Sequence, residues 1–324
     1  MKIASNFDQE LMLGKLLRRP TASTAAPLPA ETAELLRKVR RLDLRTRGFV
    51  ESLFNGEYLS VFLGRGMEFS HVRGYQFGDD VRAIDWKVTA RRGSAYVRQF
   101  VEERDMLVGL LVDVSASGRF GPGKPSTGEA AAEIAAALAF AATRNNDRVS
   151  LILSSDRVEH FTPPGSGRRH VVRLLSTLLS HRPRGRRTDL TAALERATQS
   201  FPGRATVFII SDFIQDHRDS SFKAALGRAA RRHDIVAVRL SAAAADELPN
   251  VGWVEMTDPE SGRRVVIDSG SNRVREHYRR SVQRGRVEMA TALGDAGVEI
   301  VDIDTASDPL ALLTAFFRRR AAVR

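Results

Sequence analysis

The chain has no cysteine. This excludes a disulfide framework and any thiolate metal site, and leaves oxygen and imidazole as the available metal ligands. Lysine is scarce, at 6 of the 50 basic residues. Aromatic residues are only 7% of the chain, and none are interleaved with its basic runs in the way single-strand nucleic-acid binders require. No apolar stretch approaches the roughly 20 residues of a membrane span, and the N-terminal segment "MKIASNFDQELMLGKLLRRP" lacks a signal-type apolar block. These absences give the expectation of a soluble, cytoplasmic protein.

What is abundant is arginine. The net charge is +11, and arginine gathers in "HRPRGRR" (181–187), "RRSVQRGR" (279–286) and the tail "FFRRRAAVR". Such a balance suits an acidic partner. Nucleic acid is one candidate; a compositional bias spread over solvated faces is the plainer account.

At 324 residues the chain accommodates one large α/β domain and a smaller unit. "PTASTAAPLPA" (20–30) reads as a linker between two N-terminal helices, the second being the basic, amphipathic "ETAELLRKVRRLDL". Residues 1–48 are therefore assigned to helices and linker, and residues 49–105 to a small β-rich unit with a short helix, "VRAIDWKVTAR". In that unit Asp79 is expected as an N-cap and Trp86 as core. Arg73, Arg82, Asp85 and Arg91 are expected to form an ion network.

From residue 106 to 324 apolar strands alternate with Ala-rich helices, the rhythm of a Rossmann-like, doubly wound α/β fold whose six-stranded sheet is mostly parallel. The predicted strands are 106–113, 148–155, 157–161, 205–212, 234–240 and 298–304. The run at about 251–270, with a Pro-Glu-Ser-Gly turn, reads as an inserted β-hairpin.

Two of these strands end in an acid: "VGLLVD" at Asp113 and "TVFIISD" at Asp212. In open α/β sheets the crevice beyond the carboxyl ends of the strands, where strand order reverses, is where ligands bind. Ser115 and Ser117 follow Asp113 at alternate positions, and Thr188 begins a helical pattern, where an N-cap hydroxyl is also expected. Asp113, Ser115, Ser117, Thr188 and Asp212 thus supply five oxygen side chains from three loops. This is a donor set suited to a hard cation such as Mg²⁺, or Mn²⁺, with a coordination position left for an outside anion. Arg184, Arg186 and Arg187, on the loop before Thr188, would favour an acidic ligand there.

This arrangement resembles the metal-ion-dependent adhesion site of von Willebrand factor A domains. The resemblance implies direct coordination by the Ser and Thr hydroxyls, with the aspartates acting through water. With the upstream block "RGYQFGDDVRAIDWKVTARRGSAYVRQFVEERD" (73–105), the chain resembles the bacterial proteins called domain of unknown function 58, which are associated with MoxR-type AAA+ ATPases. The open coordination position gives the expectation of a non-enzymatic adaptor in which a protein partner donates an Asp or Glu to the metal; the resemblance implies the collaborator, a MoxR-type ATPase in chaperone-like remodelling or maturation of a client complex.

Enzymatic readings are weaker. "GRFGPGK" (118–124) has the spacing of a phosphate-binding loop, but Pro125 stands where a magnesium-binding hydroxyl is needed. A metal-dependent hydrolase needs a positioned base. The seven histidines show no HExxH spacing, no GxSxG appears, and only Asp216 and His217 fall near Asp212.

Overall fold

The computed structural model describes residues 30–54, 67–76, 79–80, 83–102, 106–117, 126–214, 220–242, 246–258 and 260–323. The expected first helix and the 118–124 glycine-rich stretch lie outside these residues, as do Arg82, Asp216 and His217.

The small unit consists of an antiparallel pair, β1 (Met67–Gly74) and β2 (Tyr96–Glu102), with a short helix α2 (Trp86–Arg92) between them. Here the expectations need correction. The N-cap of α2 is Asp85, which accepts from the Lys87 and Val88 N–H groups at 3.0 and 3.1 Å. Asp79 instead holds a forked pair with Arg73 (2.7 and 2.8 Å) and accepts from the Gln76 N–H, closing the turn after β1. Trp86 is 68% exposed, because a seven-residue helix with no buried face cannot bury its first residue; Ile84 and Val97 form the buried contact. Arg73 thus pairs with Asp79 and Asp85 caps α2; the expected network also needs Arg82, which lies outside the described residues.

The large sheet runs β10–β7–β6–β3–β4–β5, with β3 (Leu107–Asp113), β4 (Arg148–Ser154), β5 (Val158–Gly165), β6 (Thr206–Ser211), β7 (Asp234–Ser241) and β10 (Glu299–Asp304). All neighbours are parallel except β5, which runs antiparallel to β4 at the edge. The β3 sequence LVGLLVD is apolar up to its terminal Asp113 because both of its faces are covered. Gly109 has no room for a side chain: a Cβ there would stand 2.5 Å from the Phe201 ring.

Helix α3 (Thr127–Arg144) is rich in alanine and buried along most of its length, from Ala130 to Ala142. Small side chains let it lie close to the sheet while a second helix covers it. That helix is α1 (Ala30–Phe54), whose Val39, Phe49, Val50 and Leu53 join the same core. Each such side chain contributes roughly 1.5–3 kcal/mol on burial. Charge fixes its register: Arg45 meets buried Glu133 of α3 at 2.7 Å, and Asp43 meets Arg168 at 2.7 Å. The expected boundary at residue 48 thus falls inside α1, a helix packed against the α/β core.

The remaining helices are α4 (Arg168–Ser180), α5 (Thr191–Ser200), α6 (Ser220–Arg232), α7 (Asn272–Asp295) and α8 (Pro309–Val323). The hairpin is β8 (Trp253–Thr257) paired with β9 (Arg264–Asp268). Among the described residues, no helix is long and apolar enough to cross a membrane.

Candidate metal centre

Strands β3 and β6 are central neighbours. Strand order reverses between them, so their following loops diverge and leave a crevice at the carboxyl edge. Asp113 ends β3 in that crevice. Its Oδ1 accepts from the Ser115 N–H at 2.9 Å, a turn that swings both serines back over the strand end, and its Oδ2 accepts from the Ser211 hydroxyl at 2.6 Å.

The five candidate side chains come together. Ser115 Oγ is 2.9 Å from Ser117 Oγ and 2.9 Å from Thr188 Oγ1, and Thr188 Oγ1 is 3.5 Å from Asp113 Oδ2. Ser117 and Asp212 line the same wall of the crevice, close enough for the Ser117 hydroxyl to favour the Asp212 carboxylate. Asp212 is aimed by an unusual backbone: Phe213, buried and not a glycine, sits at φ 55°, and the Ile214 N–H donates to Asp212 Oδ1 at 3.0 Å. A left-handed, non-glycine residue costs about 1 kcal/mol or more and persists only where its surroundings hold it.

Thr188 does not cap a helix, contrary to expectation. Helix α5 begins at Thr191, whose N–H is taken by Asp189 Oδ1 at 2.9 Å, so the Thr188 hydroxyl is free to face the crevice. Its loop is fastened from beneath. Glu159 on β5 accepts through one oxygen from the Ser155 hydroxyl (2.7 Å), the Gly185 N–H (2.6 Å) and the Arg184 N–H (3.0 Å). Burial opposes ionisation of Glu159, but these three donors outweigh it and hold the carboxyl below its ordinary range. The Ala116 N–H to Arg186 carbonyl bond (3.0 Å) ties this loop to the serine loop.

Three residues at the site escape the sequence pattern. Ser211 precedes Asp212 and orients Asp113. Glu159 lies in a strand with no motif. Glu260, in the hairpin turn, accepts from Thr188 Oγ1 at 2.8 Å. A turn glutamate carries no sequence signal of this kind; only the fold brings it over the crevice.

The electrostatics of the cluster are unbalanced. Burial, and then repulsion from Asp212, raises the Asp113 carboxyl above its usual range. Burial raises Asp212, against hydrogen bonds from Ile214 and Ser117. Burial and Asp212 repulsion raise Glu260, against its bonds to Thr188. No cationic side chain among the described residues is a principal influence on any of the three. Among the described residues, no three His, Cys, Asp or Glu side chains gather tightly enough to hold an ion by themselves. A cation here would depend on the hydroxyls of Ser115, Ser117 and Thr188. Hydroxyls backed by uncompensated carboxylates are the donor chemistry of a hard divalent ion. A cavity of ≈ 380 Å³ opens beside Ser117 and Asp212 and is lined also by Phe213, Arg239, Tyr278 and Arg286.

The arginine clusters are largely answered locally. Arg279 and Arg280 meet Glu276, Arg286 meets Asp246, and Arg320 meets Asp234 and Glu299. Arg184, Arg186 and Arg187 lie exposed around the crevice.

Sheet order and edge cluster together define an α/β protein of doubly wound type with an oxygen-rich site at its switch point. The chain belongs to the family described as protein of unknown function DUF58, whose profile matches residues 71–288. It is similar to the uncharacterized protein Rv1480 of Mycobacterium tuberculosis, at 31% identity over 90% of this chain and 92% of that one. It is also similar to the uncharacterized protein MAV169 of Mycobacterium avium, at 29% identity over 50% of this chain and 95% of that one. Among solved structures, BatB from Bacteroides thetaiotaomicron is similar at 18% identity and TM-score 0.46, over 67% of this chain and 99% of that one. A von Willebrand factor type A protein from Catenulispora acidiphila is similar at 12% identity and TM-score 0.41, over 70% of this chain and 43% of that one.

Proposed function

We propose that this protein is a metal-dependent protein-interaction module whose crevice holds Mg²⁺, or Mn²⁺, through Ser115, Ser117 and Thr188, with Asp113 and Asp212 behind them. The observation that carries this reading is the contact chain Ser117–Ser115–Thr188–Asp113–Ser211, with Asp212 following Ser211, which joins three separate loops at one point of the sheet edge. Bound there, the ion would offer a vertex to a carboxylate from outside. The chain's own residues supply the rest: the hydroxyls orient, the two aspartates provide charge, and Arg184, Arg186 and Arg187 draw an acidic ligand towards the crevice. The role in this reading is binding rather than catalysis, with the hydroxyls and carboxylates of the cluster serving the ion. The collaborator that the family resemblance implies is a MoxR-type AAA+ ATPase acting on a client complex in the cytoplasm.

Titration calorimetry with Mg²⁺ and Mn²⁺ tests the site. Wild type is expected to bind, and Asp113→Asn and Asp212→Ala to lose binding. Asp113→Asn, which removes one of two buried like charges, is expected to unfold later than wild type in EDTA, by about 1 kcal/mol. Unchanged divalent-ion affinity in both variants would overturn the assignment.

A further inference from the structure

We propose that Glu260 is an internal ligand of the crevice, so that the β8–β9 turn occupies the place an acidic partner must take. The inference rests on the cation reading above and adds what controls access to it. Glu260 is held by Thr188, whose hydroxyl donates to it at 2.8 Å. It stands close enough to Asp212 to be repelled by it. A carboxylate on the Thr188 hydroxyl, which itself reaches Ser115 and Asp113, stands where an outside carboxylate would have to arrive.

The turn is built to aim it. Asp258 binds the Glu260 N–H at 3.0 Å and the Ser261 hydroxyl, the Gly262 N–H closes onto the Asp258 carbonyl at 2.8 Å, and Gly262 takes φ 71°. Only glycine adopts that conformation without strain. Arg187, next to Thr188 in the chain, adds a weak long-range attraction for Asp258.

At its other end the hairpin is fixed. Ser269 is fully buried and binds the Gly252 carbonyl at 2.7 Å, and Arg275 holds the Ser269 and Gly270 carbonyls at 2.6 and 2.8 Å. Between base and tip, Trp253, Glu255, Thr257, Arg264, Val265 and Val266 are exposed. The tip is therefore an arm held by a rigid base and by one polar grip, which a competing carboxylate can displace. An intramolecular ligand on so short an arm acts at an effective concentration on the order of millimolar. A partner must exceed that to bind, and the partner chemistry that fits is an Asp or Glu carried at a tight turn.

Hydrogen exchange by mass spectrometry over residues 255–266, paired with Mg²⁺ calorimetry on the same samples, tests this. In wild type, Mg²⁺ is expected to slow exchange of the turn amides about tenfold relative to EDTA. In Glu260→Gln the same amides should exchange alike with and without Mg²⁺, while calorimetry still detects the ion, bound a few-fold more weakly. If Mg²⁺ binds wild type but turn exchange ignores either Mg²⁺ or the substitution, Glu260 is no ligand and this inference alone falls. If wild type binds no divalent ion, the cation reading falls and takes this one with it.

Discussion

Replacing Glu159 separates the support of the crevice from the crevice itself. This carboxylate is 2% exposed and accepts three hydrogen bonds through one oxygen, two of them from the backbone of the loop that carries Thr188. Hydrogen bonds to a charged acceptor are worth about 1.5–3 kcal/mol each, against about 0.5–1.5 for neutral ones. Glu159→Gln keeps the acceptor but removes the charge, losing about 1 kcal/mol per bond and recovering part of the cost of burying a charge; the expected net loss is about 2 kcal/mol. Glu159→Ala leaves the Gly185 N–H unpaired as well and should lose about 3–5 kcal/mol. Equilibrium unfolding in urea, followed by circular dichroism, reads both from the shift in midpoint at constant slope. Because the folded carboxyl is held below its ordinary value of 4.5, the stabilisation is present above that pH and lost as pH falls through the folded value. The difference between wild type and Glu159→Gln should therefore be level above about pH 5.5 and shrink below about pH 4.5. Divalent-ion affinity of Glu159→Ala should fall at least tenfold as Thr188 loses its fixed place. An alanine variant within about 0.5 kcal/mol of wild type would refute the view that this carboxylate fastens the loop.

Two further outcomes concern the core. Gly109→Ala places a methyl group 2.5 Å from the Phe201 ring and 3.3 Å from Val207, and is expected to destabilise by about 1–3 kcal/mol in thermal unfolding, with partial rescue by Phe201→Leu. His233 is 1% exposed, and burial, helped by Arg232 and Arg204, pushes its pKa down to about 4 from 6.5. It folds neutral, so its contribution is complete above about pH 6.5 and is lost as pH falls towards 4. On the order of 2 kcal/mol should disappear over that interval after allowance for screening, and a His233→Phe variant should show no such step.

Much of this architecture is legible in the sequence, because parallel strands covered on both faces must be apolar along their whole length. LVGLLVD and TVFIIS declare themselves, and the acids that end such runs fall at the sheet edge by necessity. The Asp-x-Ser-x-Ser turn is legible for the same reason. Other features depend on contacts distant in sequence. Trp86 looks like core on a helical wheel, but a seven-residue helix offers nothing to bury it. Asp79 precedes a helical stretch, yet the forked Arg73 guanidinium is a better partner than free amides. Glu133 and Arg45 are ordinary helix-surface residues until α1 lies on α3. Glu260 is one acid in a turn until the hairpin folds back over Thr188.

The placement of α1 over α3 bears on how the chain folds. Phe49 of α1 touches Phe317 of α8 at 6.1 Å between ring centres, and Phe317 in turn meets Phe208 of β6. A helix made early during synthesis therefore has no finished seat until residues near 317 have emerged. Until then the Phe49 face of α1 stays open to chaperones or to premature association with other nascent chains. Closure of this domain is a late event, sealed by three phenylalanine rings drawn from widely separated parts of the chain.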